Sequence, residues 1–365
     1  MTSSLYIHIP FCQKKCDYCN FYSVPISESK QSIEDFLQQL YADIKYQFDY
    51  FDITEVPTVY IGGGSPSVLG HKALKDLLLF VNSVLPNIPS EWTIELNPQT
   101  TNEKILQVCK RNNVNRVSIG IQSFNTESLN AVGRFCSTKE IKQSLILVKT
   151  FFGTNFSADL ISGLPAQNLQ DDIKKLLEYN PSHISLYDLS IEDGTPLQRK
   201  IKSGHLLMRT SEDTDSSWLK GRNLLLENGY DQYEVSAFSK PGKRSIHNVR
   251  YWQLLNWIGC GPGASGTIID GFDQKIRLTA SCNLSEYKYE KEILDKQTLI
   301  KESILMGFRY IDGPDTELFY KRFNCRIEDV IPKTLKKYKD RSMVMLFLNK
   351  FLIDCLIEVD EYFGI

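Results

Sequence analysis

Six short β-branched runs, each followed by a helix-like stretch, constrain this chain more tightly than any other feature. "SLYIHIP", "TVYIGGG", "WTIEL", "RVSIGIQSF", "FSADLISGLP" and "HISLYDLSI" are apolar, brief and closed by Gly, Pro or polar residues, as strands are. Between them lie "IEDFLQQLYADIKYQF", "KALKDLLLFVNSVL", "NEKILQVCKRN", "KEIKQSLILVKTFF" and "LQDDIKKLLEYN". In the second of these, Leu74, Leu77, Leu78 and Val81 recur at the spacing of one helical face. Such alternation predicts parallel βα units. Nearly every strand ends on residues unusual for a packed sheet: Gly62 to Ser65, Glu95 and Asn97, Gln122, Asp159 and Asp188. A barrel would gather these ends at one mouth, whereas an open sheet would string them along a line. The expected fold is therefore α/β, a partial (β/α)6 TIM-like barrel.

The pattern changes further on. "DTDSSWLKGRNLLLENGY" reads as a helix stopped by Gly229. An aromatic, Gly- and Pro-rich stretch follows, and from about residue 285 the chain reads as helical and charged. The expected divisions are 1–235 for the βα core, 236–284 for a connecting segment and 285–365 for a smaller, mostly helical domain. "KTLKKYKDRSMVMLFLNKFLI" is expected to be helical within that domain.

With 365 residues there is ample chain for a sizeable core. A formal net charge of -2 gives no electrostatic case for nucleic acid or an anionic membrane as partner. No apolar run reaches the roughly 18–20 residues that a bilayer requires, and the N-terminus does not read as a signal peptide. Nine cysteines, an odd number, fit reduced thiols in a cytoplasmic protein, expected as a monomer or weak homodimer.

Three of those cysteines, Cys12, Cys16 and Cys19, stand in the polar loop "CQKKCDYC". Thiolates spaced C-x3-C-x2-C can face one small inorganic cluster, and cysteine is a soft ligand suited to iron–sulfur clusters or zinc. Structural zinc usually takes four ligands, commonly as two separated pairs; here the next cysteine is Cys109. A zinc site completed by His8 or by a distant cysteine stays open as the alternative.

The loop, with Tyr18 before its last cysteine, resembles the signature of the radical S-adenosylmethionine (SAM) superfamily. "YIHIPFC", "GGGSPS", "IELNP", "SIGIQSFN", "GR", "DLISGLP" and "HNVRYW" follow the order of its coproporphyrinogen oxidase-like branch. The resemblance covers residues 4 to 265 and, more weakly, the rest. It implies a [4Fe–4S] cluster on Cys12, Cys16 and Cys19. It also implies SAM contacts at Tyr6, Tyr18, Gly63, Gly64, Ser65, Glu95, Gln122, Arg134 and Asp159, with an electron donor if the cluster is redox active.

Within that branch, the coproporphyrinogen oxidases carry a further cysteine two residues after the third, where this chain has Phe21. The chain is similar instead to the branch's heme chaperones, which lack that cysteine and carry HNxxYW, present here as residues 247–252. That likeness implies heme as a ligand and a heme-accepting client protein as partner. Porphyrinogen decarboxylation is the alternative. His247 is the expected heme-binding residue, since neutral imidazole is a common axial ligand. Tyr251 and Trp252 would supply flat apolar surface, and Lys243, Arg244 and Arg250 would pair with propionates. Cys260 is the next candidate ligand. A hydrogen-bonded structural corner is the other reading of His247.

Overall fold

The computed structural model describes residues 1–338 and 348–364. Six strands run parallel in chain order: β1 (Ser4–Ile9), β2 (Thr58–Gly63), β3 (Glu91–Leu96), β4 (Arg116–Gln122), β5 (Phe156–Ser162) and β6 (His183–Asp188). Helices α1 (Ile33–Tyr50), α2 (Gly70–Val84), α3 (Glu103–Arg111), α4 (Thr126–Ala131), α5 (Thr138–Phe152) and α6 (Leu169–Leu177) join them. Then come α7 (Pro196–Lys202), α8 (Ser211–Glu227), β7 (Asp231–Gln232), β8 (Ala237–Ser239) and α9 (Ile246–Trp252). The sheet is completed by β9 (Trp257–Cys260), β10 (Ser265–Ile268), β11 (Ile276–Ala280) and β12 (Tyr289–Ile293). Its twelve strands lie in the order β12-β11-β10-β9-β1-β2-β3-β4-β5-β6-β8-β7. Because β1 neighbours β9 and β6 neighbours β8, the six-strand core stays open, as a partial barrel.

Alternation along the strands sets the two faces of this sheet. On β1, Leu5, Ile7 and Ile9 are fully buried in the core that also takes Phe36, Leu40 and Ile44 of α1. Each such buried side chain contributes on the order of 1.5–3 kcal/mol. The alternate residues, Ser4, Tyr6 and His8, are polar: Tyr6 and His8 hydrogen-bond each other, His8 also meets the Tyr22 carbonyl, and the Ser4 hydroxyl accepts from Thr58 and Arg250. The inner face is thus a hydrogen-bonded, polar interior, and it ends at a mouth built from the strands' C-terminal ends.

Two expected boundaries need correction. Segment 236–284 is no connector: β9 adds to β1 in parallel, and β10 and β11 extend the same sheet. Tyr289–Ile293, expected to be helical, is an antiparallel edge strand in register with β11, Ile276 facing Ile293. Its Glu and Lys residues are good helix formers, but charges also guard an exposed sheet edge against further pairing. The helices after it, beginning with Lys296–Gly307, pack a separate core around Leu299, Ile304, Phe319, Phe323 and Phe351. Of the stretch expected to be helical from Lys333, residues 339–347 lie outside the described residues, while Leu348–Phe363 forms a helix. Among the described residues, no helix is long and apolar enough to cross a membrane.

Candidate functional site

The mouth of the barrel encloses a cavity of about 580 Å³, within the usual range for small-molecule sites. Cys12, Cys16 and Cys19 line one side of it. Gly63, Gly64, Glu95, Asn97, Gln122, Arg134, Asp159 and Asp188 line the others, so the strand ends do converge.

Asp17 anchors the cysteine loop. Its amide donates to the Val132 carbonyl at 3.0 Å and its own carbonyl accepts from the Leu197 amide at 2.9 Å. Its carboxylate pairs with Lys200 at 2.5 Å. Gly133, at φ +72°, lets this happen, because a Cβ there would stand 2.5 Å from the Asp17 carboxyl carbon. Glycine likewise brings β2 against the loop: the Gly64 amide donates to Ile9 O at 2.8 Å, and a Cβ on Gly64 would meet Phe11 O at 2.4 Å.

Glu95 is held on two sides. The Tyr60 hydroxyl donates to Oε1 at 2.6 Å and the Gly63 amide to Oε2 at 3.0 Å. Burial pushes its carboxyl up to about 7, and burial likewise pushes Asp159 up to about 6, against hydrogen bonds from Ser185 and Ser118. Gln122 sits at φ +66°, where the β4–β5 register shifts between Gly120 and Gln122; such a bulge re-aims a side chain. Arg134 donates to Cys16 Sγ at 3.7 Å and to the Gly120 carbonyl.

These residues fit the cofactors that the superfamily resemblance implies. Among the described residues, Gln122 Oε1 and Arg134 Nε are buried without a partner at the cavity wall, as groups reserved for a ligand would be. Among the described residues, no three His, Cys, Asp or Glu converge to hold a single metal ion. A cubane cluster instead gives each of the three thiolates an iron of its own.

Not every expected contact lies in the cavity. Tyr6 stands behind its wall, its hydroxyl 2.9 Å from His8 Nδ1, while His8 Nε2 contacts the Tyr22 carbonyl at 2.8 Å. Ser65 is buried, its amide donating to Phe11 O at 2.7 Å and its hydroxyl meeting Ser67 at 3.1 Å. Tyr18, by contrast, does line the cavity. So do Ser118, Tyr187 and Glu192, which the sequence reading did not single out. Composition does not mark Ser118 or Tyr187; their inward positions follow from the strand register, Ser118 beside Glu95 and Tyr187 beside Ile161.

His247 is placed at the opposite end of the barrel, among the strands' first residues, and is fully buried. Its Nδ1 lies 2.8 Å from Thr58 Oγ1 and its Nε2 2.8 Å from the Tyr251 hydroxyl. The Thr58 hydroxyl donates its one proton to Ser4, so Nδ1 is the donor and the Nε2 lone pair is taken by Tyr251. Burial lowers its pKa to about 3, with Arg250 adding to the effect. Both ring nitrogens thus have side-chain partners, the arrangement of the hydrogen-bonded corner that is its other reading. Cys260 is also fully buried. Arg244 is paired with Asp312 at 2.6 Å, and Arg250 donates to Ser4 at 2.6 Å.

The raised carboxyls carry a pH prediction. Both hold their protons above the ordinary values of about 3.9 and 4.3, so between about pH 4 and 7 the folded chain binds more protons than the unfolded one. Their contribution to stability therefore falls as pH rises through that window and levels off above about 7. The unfolding temperature of the ligand-free protein should drop a few degrees less over that range in Glu95→Gln than in wild type. Identical pH slopes would show that Glu95 titrates normally.

Comparison with known proteins agrees with the geometry. The radical SAM superfamily profile matches residues 6–179. Heme chaperone HemW from Lactococcus lactis is 32% identical, over 96% of this chain and 98% of its own length. HemW from Escherichia coli is 38% identical over 73% of this chain and 70% of its own. The solved structure of coproporphyrinogen III oxidase (HemN) from Escherichia coli shares the fold, with a TM-score of 0.82 at 19% identity, covering 99% of this chain and 90% of that one. The three-thiol loop, the glycine-rich end of β2 and this full-length similarity together make the chain a member of the radical SAM superfamily and, within it, of the HemW family.

Proposed function

We propose that this chain is a cytoplasmic heme chaperone that holds a [4Fe–4S] cluster on Cys12, Cys16 and Cys19, binds SAM along the cavity wall, takes heme at the cavity mouth and passes it to a client protein. When bound, the cluster supplies an electron and an open iron for the amino and carboxylate groups of SAM. Glu95 and Asp159 present carboxylates to a cationic ligand, Gly63 and Gly64 give its backbone-side approach, and Arg134 and Gln122 offer donors and an acceptor. Relatives that carry the heme chaperone name along their whole length support the chaperone reading over the decarboxylase.

One observation carries the placement of heme. Phe21 stands 69% exposed at the mouth, where the decarboxylating branch would place its extra cysteine. A single exposed aromatic is ordinary. Here Tyr187 and Leu189 line the same opening, and so do Lys14 and Lys15. Flat apolar surface beside two ammonium groups matches a porphyrin, whose ring faces are apolar and whose edge carries propionates.

Hemin titration followed at the Soret band tests this. Phe21→Ser and the Lys14→Glu, Lys15→Glu double variant should each weaken binding several-fold, and the double variant's deficit should shrink at high salt because exposed pairs are screened. Wild-type affinity in both would remove heme from the mouth. Efficient conversion of coproporphyrinogen III without measurable heme binding would establish the decarboxylase instead.

A further inference from the structure

The HNxxYW segment has a second destination in the fold. Thr58, Tyr60 and Gly62 occupy alternate positions of β2 and share its inner face. At the floor, Thr58 holds His247. One step up, the Tyr60 ring packs against the His247 ring, with centroids 5.1 Å apart and planes inclined by 32°. The same Tyr60 carries the hydroxyl that donates to Glu95 at 2.6 Å. At the next position Gly62 leaves room for that carboxylate, since a Cβ there would lie 2.6 Å from Glu95 Oε2. The Tyr6 ring also neighbours Tyr60, with centroids 6.2 Å apart. An unbroken column of packed and hydrogen-bonded side chains therefore connects α9 at the barrel floor with a carboxylate on the cavity wall.

We propose that His247 is a positioning residue for Glu95: through Tyr60, α9 sets the carboxylate that meets SAM. Packing against the His247 ring helps hold Tyr60 in the orientation that delivers its hydroxyl to Glu95. Removing the imidazole opens a void of ring size on one side of Tyr60. The ring then relaxes toward the void and Glu95 keeps only the Gly63 amide. His247, within the HNxxYW motif, thereby also serves the SAM pocket. This rests on SAM occupying the cavity.

The test is calorimetric titration of SAM into cluster-loaded wild type, His247→Ala, Tyr60→Phe and the double variant. Each single change should weaken SAM about tenfold, the loss of one hydrogen bond to a charged group. Both act through the same bond, so the double variant should be no weaker than the weaker single one. Thr58→Val, which keeps nearly the same volume and removes the Nδ1 partner together with the bond to Ser4, should weaken SAM about threefold and serves if His247→Ala does not fold. Wild-type SAM affinity in folded His247→Ala or in Thr58→Val, or additive losses in the double variant, would overturn the inference. Wild-type protein that binds no SAM would overturn the cavity assignment and the inference with it.

Discussion

Cys16→Ala protein, reconstituted anaerobically with iron and sulfide, is expected to remain colourless, while wild type turns brown and holds about four iron atoms per chain. The loop around Cys16 is already docked: Asp17 is bonded to Val132, Leu197 and Lys200, and its close contact with Gly133 leaves no slack. Two remaining thiols on a fixed loop cannot shift to replace the third. The Arg134 guanidinium, which donates to Cys16 Sγ, would then face an empty position. Cys12→Ala and Cys19→Ala should bleach the protein equally. Burial raises the Cys12 thiol to about 11 and raises Cys19 as well, so iron must displace their protons. Reconstitution should accordingly proceed further as pH rises from about 7 to 8.5, the sense expected when metal binding releases protons. A full complement of iron in any of the three variants, or stoichiometric zinc in wild type, would exclude the cluster assignment.

The cysteine loop and the strand ends were legible in the sequence for one physical reason. Residues that break an apolar, alternating strand at its C-terminal end must be doing something other than packing, and a barrel brings such ends together. Glu95 and Gln122 stand where that logic puts them, while Asp159 lines the cavity from the middle of β5. It fails deeper in the interior, where Tyr60 and Ser118 look like ordinary members of β-branched runs until the register shows that they face inward. The surroundings of His247 are hidden in the sequence for a related reason. Its neighbours in sequence are aromatic and basic, the company a heme would want, but its partner Thr58 lies 189 residues away. Local composition carries no information about such a partner. The edge strand Tyr289–Ile293 was missed because Glu and Lys serve both a helix surface and a sheet edge, and only the pairing with β11 distinguishes them.

The barrel floor that holds His247 is also where a single change should cost the most stability. Glu91 and Arg116, each the first residue of its strand, are 4% and 3% exposed and lie 3.3 Å apart. The Glu91 carboxylate also accepts from the Ile246 and His247 amides at 3.1 and 2.9 Å and from the Ser245 hydroxyl at 3.3 Å. It thus satisfies the first amides of α9, which no intrahelical carbonyl reaches, and balances a buried guanidinium. Glu91→Ala removes both services at once and leaves Arg116 with only the Ser157 hydroxyl and the Lys243 carbonyl. Breaking one side of a buried pair costs about 3–5 kcal/mol, which corresponds to a fall of roughly 4–7 °C in Tm for a chain of this size. Glu91→Gln should recover part of the loss, because an amide oxygen still accepts from the helix. Arg116→Met added to Glu91→Ala should recover more, since it removes the uncompensated charge itself. A Glu91→Ala Tm within 2 °C of wild type would mean that water enters the floor, so α9 could not be held firmly enough to set Tyr60. A large fall in Tm joined to weaker SAM binding in the folded fraction would tie the floor of the barrel to its mouth.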